Sequence, residues 1–212
     1  MSTINNSVQA RERAASTLMR VQASYASKGI ALCQAALCGA KEFIAWTHYP
    51  KNDCSDTDSG YEFYYHAHEP SDMPESEHGH FHIFKRNISQ PEKFTHLIGI
   101  ALNTKGLPVR LFTTNQWVTG ESMQNAKTVQ AYVKGYSFHC KGRLAPLAKW
   151  IEAMLTLYAE EITSLILKRD ELIAVHVAAG IKKTNFLEDR SQHCLTACKI
   201  NLLEKLSLQQ HA

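Results

Sequence analysis

Histidines are the residues of this chain best suited to chemistry. The sequence holds 11, and six of them lie between positions 66 and 96. A neutral imidazole with a free ring nitrogen is a good ligand for a first-row metal, which holds nitrogen at about 2.0–2.1 Å. The sequence therefore predicts a metal site. Its candidate ligands, called the histidine cluster below, are His66, His68, His78, His80, His82 and His96.

The spacing of these histidines predicts that most of them share one face of a β-sheet. Side chains alternate between faces along a strand, so each of the runs YEFYYHAH (61–68) and HGHFHIFKR (78–86) carries a row of imidazoles. The apolar rows between them need a common core, which favours a hairpin with His66 opposite His80. By the same alternation His96 shares the side of Ile98 and is expected in a dry region at the end of the sheet.

Five imidazoles on neighbouring strands are expected to stay largely neutral at pH 7. Two unit charges about 6 Å apart repel by roughly 3 kcal/mol at an effective dielectric of 20. Three other side chains are candidate catalytic residues. Glu77 is suited to proton transfer or metal binding, Tyr64 would line a pocket, and Arg110 could pair with a substrate carboxylate or form a structural ion pair.

The ligand types narrow the metal. The cluster contains no cysteine and only Met73 lies near it, which leaves Fe(II) or Zn(II) first, then Mn(II) or Cu(II). Three histidines and water would suit hydrolysis or hydration at zinc, whereas two histidines and a carboxylate would suit oxygen chemistry at non-haem iron.

The elements around the cluster indicate an α+β fold. Four strands at 61–68, 78–86, 95–102 and 107–114 predict an antiparallel sheet over about 61–114, with 51–60 as a loop. N-terminal helices and a long C-terminal helix should pack on it; the predicted helices span 7–26, 30–46, 122–134 and 146–180.

The long helix has two interpretations, a core helix across the sheet or the seam of a homodimer. We expect one α+β domain over 1–180 and a helical appendage over 181–212. In that appendage Cys194, Cys198, Leu202 and Leu206 would follow one side of a helix.

Composition excludes several classes of protein. A net charge of +3 over 212 residues gives no support to nucleic-acid binding. The apolar segment 29–40 has only twelve residues and is too short to cross a bilayer, so no membrane partner is expected. Six scattered cysteines do not resemble a disulfide scaffold, and we expect reduced thiols in the cytoplasm.

The runs YYHAH, EHGHFH, THLI and LFTTNQWVT, in this order, resemble a bacterial family of uncharacterised domains over roughly 42–175. The family has no established activity, so the resemblance implies no mechanism. It does imply that a set of positions belongs together: His48, Asp53, Asp56, Tyr64, Tyr65, His66, His68, Glu77, His78, His80, His82, His96, Arg110, Asn115 and Trp117.

The sequence thus predicts a metal-dependent enzyme that acts on a small molecule, with a preference for redox or oxygen chemistry because carboxylates and tyrosines accompany the histidines. One alternative is a non-catalytic metal carrier or sensor. Another is a dimeric interaction protein without metal, whose histidine face responds to pH.

Overall fold

The computed structural model describes residues 2–69 and 76–209, with side chains over 7–69 and 76–208. Within these ranges the chain forms one antiparallel sheet in which each strand pairs with the next along the sequence. Six strands, β1 to β6, make up the sheet: Tyr49–Asp56, Tyr61–His66, Gly79–Arg86, Phe94–Leu102, Pro108–Thr114 and Cys194–Lys199. The predicted α+β class is confirmed, but the prediction of four strands is wrong.

The helices precede and follow the first five strands. In chain order, α1 to α8 span Ser2–Ala26, Leu32–Ala36, Gln116–Thr119, Ala126–Lys134, Ala145–Leu157, Ala159–Ala178, Lys183–Leu187 and Leu202–Gln209. A short 3-10 helix, Gly142–Leu144, leads into α5. No helix within the described residues is both long and apolar enough to cross a membrane.

The two strands that the sequence did not predict are the edges of the sheet. An edge strand has one hydrogen-bonded neighbour and a solvated side, so it needs little of the apolar alternation that marks a buried strand. β1 is the polar segment that was expected to be a loop, and its register with β2 shifts between Tyr49 and Cys54. β6 replaces the helix predicted through Cys194 and Cys198 and pairs with β5.

Two predicted helices are shorter than expected. The helix predicted over 30–46 spans only Leu32–Ala36, because Cys38 and Gly39 follow it with positive φ. The predicted long helix is divided at Tyr158, whose φ and ψ of −103° and 23° are not helical.

Helices α1, α5 and α6 pack on one face of the sheet. The apolar stripe expected along 146–180 is buried in the protein's own core, as the core-helix interpretation predicts: Leu147, Ile151, Met154, Tyr158, Ile162 and Leu165. These residues pack with the core-facing row of β2 and β3, which includes Phe63 and Phe81. The residues that alternate with this row along β2 and β3 point to the opposite face, and the histidines are among them.

Candidate metal centre

The register of β2 and β3 brings the two rows of histidines together. His66 lies opposite His80, Tyr64 opposite His82, and Phe63 opposite Ile83, which confirms the predicted pairing. Because Phe63 and Ile83 are fully buried in the core, the intervening histidines share the other face. The apolar side of the hairpin therefore sets the arrangement of the polar side.

Three of the histidines form a group that could hold a metal ion. One ring nitrogen from each of His66, His80 and His82 lies within 4.8 Å of the others. Nε2 of His66 and Nε2 of His80 are 2.7 Å apart. Nitrogens bound tetrahedrally at about 2.0–2.1 Å from a metal lie about 3.4 Å from one another, so small ring rotations would give ligand spacing.

His96 also reaches this face, which is contrary to the prediction from strand alternation. Ile83 lies opposite Ile98 and Phe84 opposite His96, so one step along β3 corresponds to two along β4. Leu97 is the extra residue of this β-bulge, and its side chain is fully buried beside that of Ile98. The bulge turns His96 from the side of Ile98 to the side of the histidines.

A chain of hydrogen bonds runs from His82 away from the group. Nδ1 of His82 lies 3.0 Å from Nε2 of His96, and Nδ1 of His96 lies 3.2 Å from Oγ1 of Thr114. The backbone N–H of His96 donates to the buried carboxylate of Glu121 at 2.8 Å. With Nδ1 of His82 engaged in this way, its Nε2 is the nitrogen left for a metal.

The other two predicted ligands have different positions. The ring of His68 is 4.8 Å from that of His66 and 5.0 Å from that of His80, at the margin of the group. His78 precedes β3 and turns toward the core side, where its Nδ1 is 2.8 Å from the hydroxyl of Tyr65. The structure therefore does not bring His78 to the other histidines. Met73 lies outside the described residues.

Burial keeps the grouped imidazoles neutral. It lowers the pKa of His66 to about 3, with a smaller effect from His68 and His48. It also lowers the pKa of His96 to about 3, and Arg169 contributes in the same direction. The pKa values of His80 and His82 are lowered well below the ordinary value by burial and by neighbouring histidines. Neutral rings with lone pairs are the form that binds metal.

Two glutamates near the histidines, Glu77 and Glu62, are both paired with arginines. Glu77 accepts hydrogen bonds from Nε and Nη2 of Arg110 at 2.5 and 2.8 Å. Glu62 accepts from Arg86 at 2.5 Å and from Ser55 at 2.6 Å. Neither carboxylate belongs to the group of three histidines, so the donor set there is composed of nitrogen.

Tyr64 lies between several rings of this face. Its ring stacks on that of His48 at 3.6 Å, and its centroid lies 5.3 Å from that of His82. Burial raises its pKa above the ordinary value, so the phenol stays protonated and can donate a hydrogen bond. Nδ1 of His48 in turn lies 3.0 Å from Oδ1 of Asp53.

A pocket of about 820 Å³ opens onto the group. Sequence reasoning found four of its histidines, His66, His68, His80 and His82, together with Tyr64, Glu77 and Arg110, and the family resemblance included His48 and Trp117. It did not assign the remaining lining residues to the site, although Phe112 and Thr114 alternate with Arg110 along β5 and so share its side. These residues are Trp46, Phe112, Thr114, Val118, His193 and Cys194.

Phe112 reaches the histidines because Gly99 has no side chain. Gly99 lies between His82 and Phe112 in the register of β3, β4 and β5. A Cβ at Gly99 would overlap the ring of Phe112. That ring lies 5.0 Å from the ring of His80 and 5.8 Å from that of His82, and so forms an apolar wall beside them.

The residues fit a first-row metal. Within the described residues, the buried Nδ1 of His80 has no hydrogen-bond partner. A buried polar atom without a hydrogen-bond partner destabilises the fold. The unpaired nitrogen of His80 is explained if this ring binds a metal ion. His82 is oriented by a second imidazole, as metal-bound histidines are by their hydrogen-bonded neighbours.

Comparison with known proteins gives a family but no activity. No curated protein and no solved structure matches the chain. One family profile matches residues 12–200, a wider range than the resemblance in the motifs covers, and it includes β6 with Cys194 and Cys198. The chain therefore belongs to the family described as domain of unknown function DUF6969.

Proposed function

We propose that this protein is a metal-dependent enzyme whose single metal ion is held by His66, His80 and His82 and whose substrate is a small molecule. The observation that carries the proposal is the convergence of three neutral imidazoles from two strands at the wall of a pocket of about 820 Å³. Catalytic metal sites commonly use three protein ligands and leave a position open toward such a pocket.

The donor set favours zinc over iron. Three histidines are a ligand set of catalytic zinc, whereas oxygen-activating non-haem iron commonly takes two histidines and a carboxylate. The preference for redox chemistry rested on carboxylates and tyrosines near the histidines, and the carboxylates of Glu62 and Glu77 are each held by an arginine. Zn(II) would supply Lewis-acid chemistry at this centre.

The chain's own residues would complete the site. His96 orients the ring of His82 through the bond between Nδ1 and Nε2. Tyr64, protonated and close to His66 and His82, is suited to donate a hydrogen bond to a bound substrate. Phe112 keeps water from one side of His80 and His82.

A non-catalytic carrier or sensor is the second candidate, and the position of His68 favours it. Its ring lies within 5.0 Å of those of both His66 and His80, so it could move in as a fourth nitrogen ligand and close the coordination shell. A closed shell would leave no position for a substrate. Changing His68 to Ala separates the two candidates, since it should weaken zinc binding markedly in a carrier and little in an enzyme.

Elemental analysis of the full chain, purified without an affinity tag, tests the proposal. We expect close to one equivalent of transition metal, chiefly zinc, and its loss in His66→Ala and His80→Ala. His139→Ala is the matched control, because the side chain of His139 is 85% exposed and does not line the pocket. Less than a few tenths of an equivalent of any metal, with none taken up on titration, would refute the proposal and leave the pH-responsive interaction protein.

A further inference from the structure

We infer that the pocket binds a small organic carboxylate with an apolar body, and that Arg110 pairs with its carboxylate. The inference rests on the proposed metal centre, because the charge of the metal is part of the argument. Three features carry it: the balance of charge in the pocket, the position of Arg110, and the apolar walls.

The charges lining the pocket leave the loaded site positive. Arg110 and Glu77 are the lining residues with formal charges, and they cancel. His66, His80 and His82 would bind the metal as neutral imidazoles, the form that has a lone pair to donate, and so add no charge of their own. A divalent metal bound by neutral ligands would therefore add two uncompensated positive charges to a partly enclosed site, where an anionic ligand is strongly favoured.

Arg110 stands on the same face as the metal ligands, two strands away. His80 lies opposite Ala101, and Ala101 lies opposite Arg110. Neighbouring strands are about 4.8 Å apart, so the Cα atoms of His80 and Arg110 are separated by roughly 10 Å. This is a distance that a small molecule can bridge, with one end near the metal and the other at the guanidinium.

The guanidinium of Arg110 is held in place by Glu77 but keeps N–H donors that Glu77 does not bind. Glu77 accepts from Nε and Nη2, and the carbon of the guanidinium lies 4.5 Å from the centroid of Phe112. A guanidinium has five N–H donors, and Glu77 occupies only part of them, so the rest can bind a ligand. The thiol of Cys194 also lies next to the guanidinium. The side chain of Arg110 is 22% exposed, and it lines the pocket.

The remaining walls fit an apolar body. The ring of Phe112 lies beside that of His80 and beside the guanidinium of Arg110, and Trp117 and Val118 line the pocket at α3. Trp117 is held by the bond from its Nε1 to the carbonyl of Gln192 at 3.1 Å, so its ring is positioned before a ligand arrives. Pockets of roughly 300–1,000 Å³ take molecules larger than a simple inorganic anion.

Calorimetric titration of the zinc-loaded full chain tests the inference with three probes of graded chemistry. Phenylacetate carries both a carboxylate and an apolar body, phenylacetamide lacks the charge, and acetate lacks the ring. We expect phenylacetate to bind about tenfold or more tightly than either of the others, because charge-assisted hydrogen bonds and apolar burial both contribute.

Variants at Arg110 separate its role from that of the metal. Glu77→Gln/Arg110→Met removes the pair at constant net charge and should reduce phenylacetate binding by about tenfold or more. Glu77→Gln alone is the control, in which Arg110 is released and binding should be kept or improved. Both variants should keep their zinc, which shows that the centre is intact.

Two outcomes would overturn the inference while leaving the metal centre standing. Equal binding of phenylacetate and phenylacetamide would show that the pocket has no preference for an anion. Equal binding of phenylacetate to Glu77→Gln and to the double variant would show that the carboxylate binds at the metal alone. Failure of the wild-type chain to hold zinc would instead remove the proposed function, and this inference with it.

Discussion

Nδ1 of His82 on β3 lies 3.0 Å from Nε2 of His96 on β4, and the β-bulge of β4 makes this hydrogen bond possible. When Nδ1–H of His82 donates, Nε2 of His96 accepts and Nδ1–H of His96 donates a hydrogen bond to Oγ1 of Thr114. This arrangement leaves Nε2 of His82 without a proton, which is the tautomer that binds a metal. The bond is therefore the link between the irregularity of β4 and the chemistry of the centre.

Replacing His96 with Phe should weaken metal binding without abolishing it. The ring keeps most of the packing but loses the acceptor that holds His82, and such neighbouring contacts are worth about 10- to 100-fold in metal affinity. Competition against a chromophoric chelator would measure the change. His82→Phe should eliminate tight binding, and Thr114→Val should have a smaller effect than His96→Phe. An affinity in His96→Phe within about twofold of wild type would show that the bond has no role in binding.

Glu121 should be a positioning residue for this arrangement. Its carboxylate accepts a hydrogen bond from the backbone N–H of His96. His96 lies at the β-bulge, where the regular pairing of β3 and β4 is interrupted. In Glu121→Leu that N–H is buried and unpaired, at a cost of about 1–3 kcal/mol in the free energy of unfolding. Glu121→Gln keeps an acceptor oxygen and should lose less.

Urea denaturation and zinc titration of both Glu121 variants would check this. A merely structural role would lower stability in Glu121→Leu and leave zinc affinity unchanged. The positioning role predicts that the affinity falls as well, and that Glu121→Gln restores most of it.

Gly99→Ala should displace Phe112. A Cβ at this position overlaps the Phe112 ring, so the ring must leave the faces of His80 and His82 or the strands must shift. Overpacking of this kind costs about 1–3 kcal/mol. In the Phe112→Ala background the same substitution should cost little, and a double-mutant cycle from urea denaturation gives the coupling. Equal costs in the two backgrounds would contradict the proposed contact.

The parts of the site that the sequence predicted are those governed by regular alternation. Two adjacent strands with apolar residues at every second position allow one register that buries both rows, and that register places His66 opposite His80. His96 was placed wrongly because Leu97 interrupts the period of two. The sequence gives little sign of the bulge beyond the adjacent apolar pair Leu97 and Ile98, both of which the core takes up.

Other errors arose where tertiary contacts decide local structure. β6 has helical spacing of its apolar residues, but pairing with β5 and the bond from Thr196 to the carbonyl of Leu165 hold it as a strand. His78 has the spacing of the histidine row, yet it lies before the first ladder residue of β3, so alternation does not constrain it. The pocket walls come from segments far apart in the chain and could not be assembled from one sequence.

The stability of the metal-free protein should fall as the pH is lowered from 7.5 to 5. The pKa of His66 and that of His96 are about 3 in the folded chain, against an ordinary value of 6.5. The unfolded chain therefore binds more protons in this window, and each such histidine lowers the free energy of unfolding by up to about 1.4 kcal/mol per pH unit. His80 and His82, whose pKa values are also lowered, act in the same direction.

Glu121 acts in the opposite direction and offsets part of this effect. Burial raises its pKa from 4.5 to about 7, so between these values the folded chain holds a proton that the unfolded chain releases. Near pH 5 the uptake by the four histidines outweighs the release from Glu121, so these five groups together take up protons on unfolding. Urea denaturation in EDTA at several pH values measures this slope. In Glu121→Gln the opposing contribution is removed, so the slope should steepen by about one proton. A free energy of unfolding that stays level or rises between pH 7.5 and 5 would show that the grouped histidines are not held neutral by the fold.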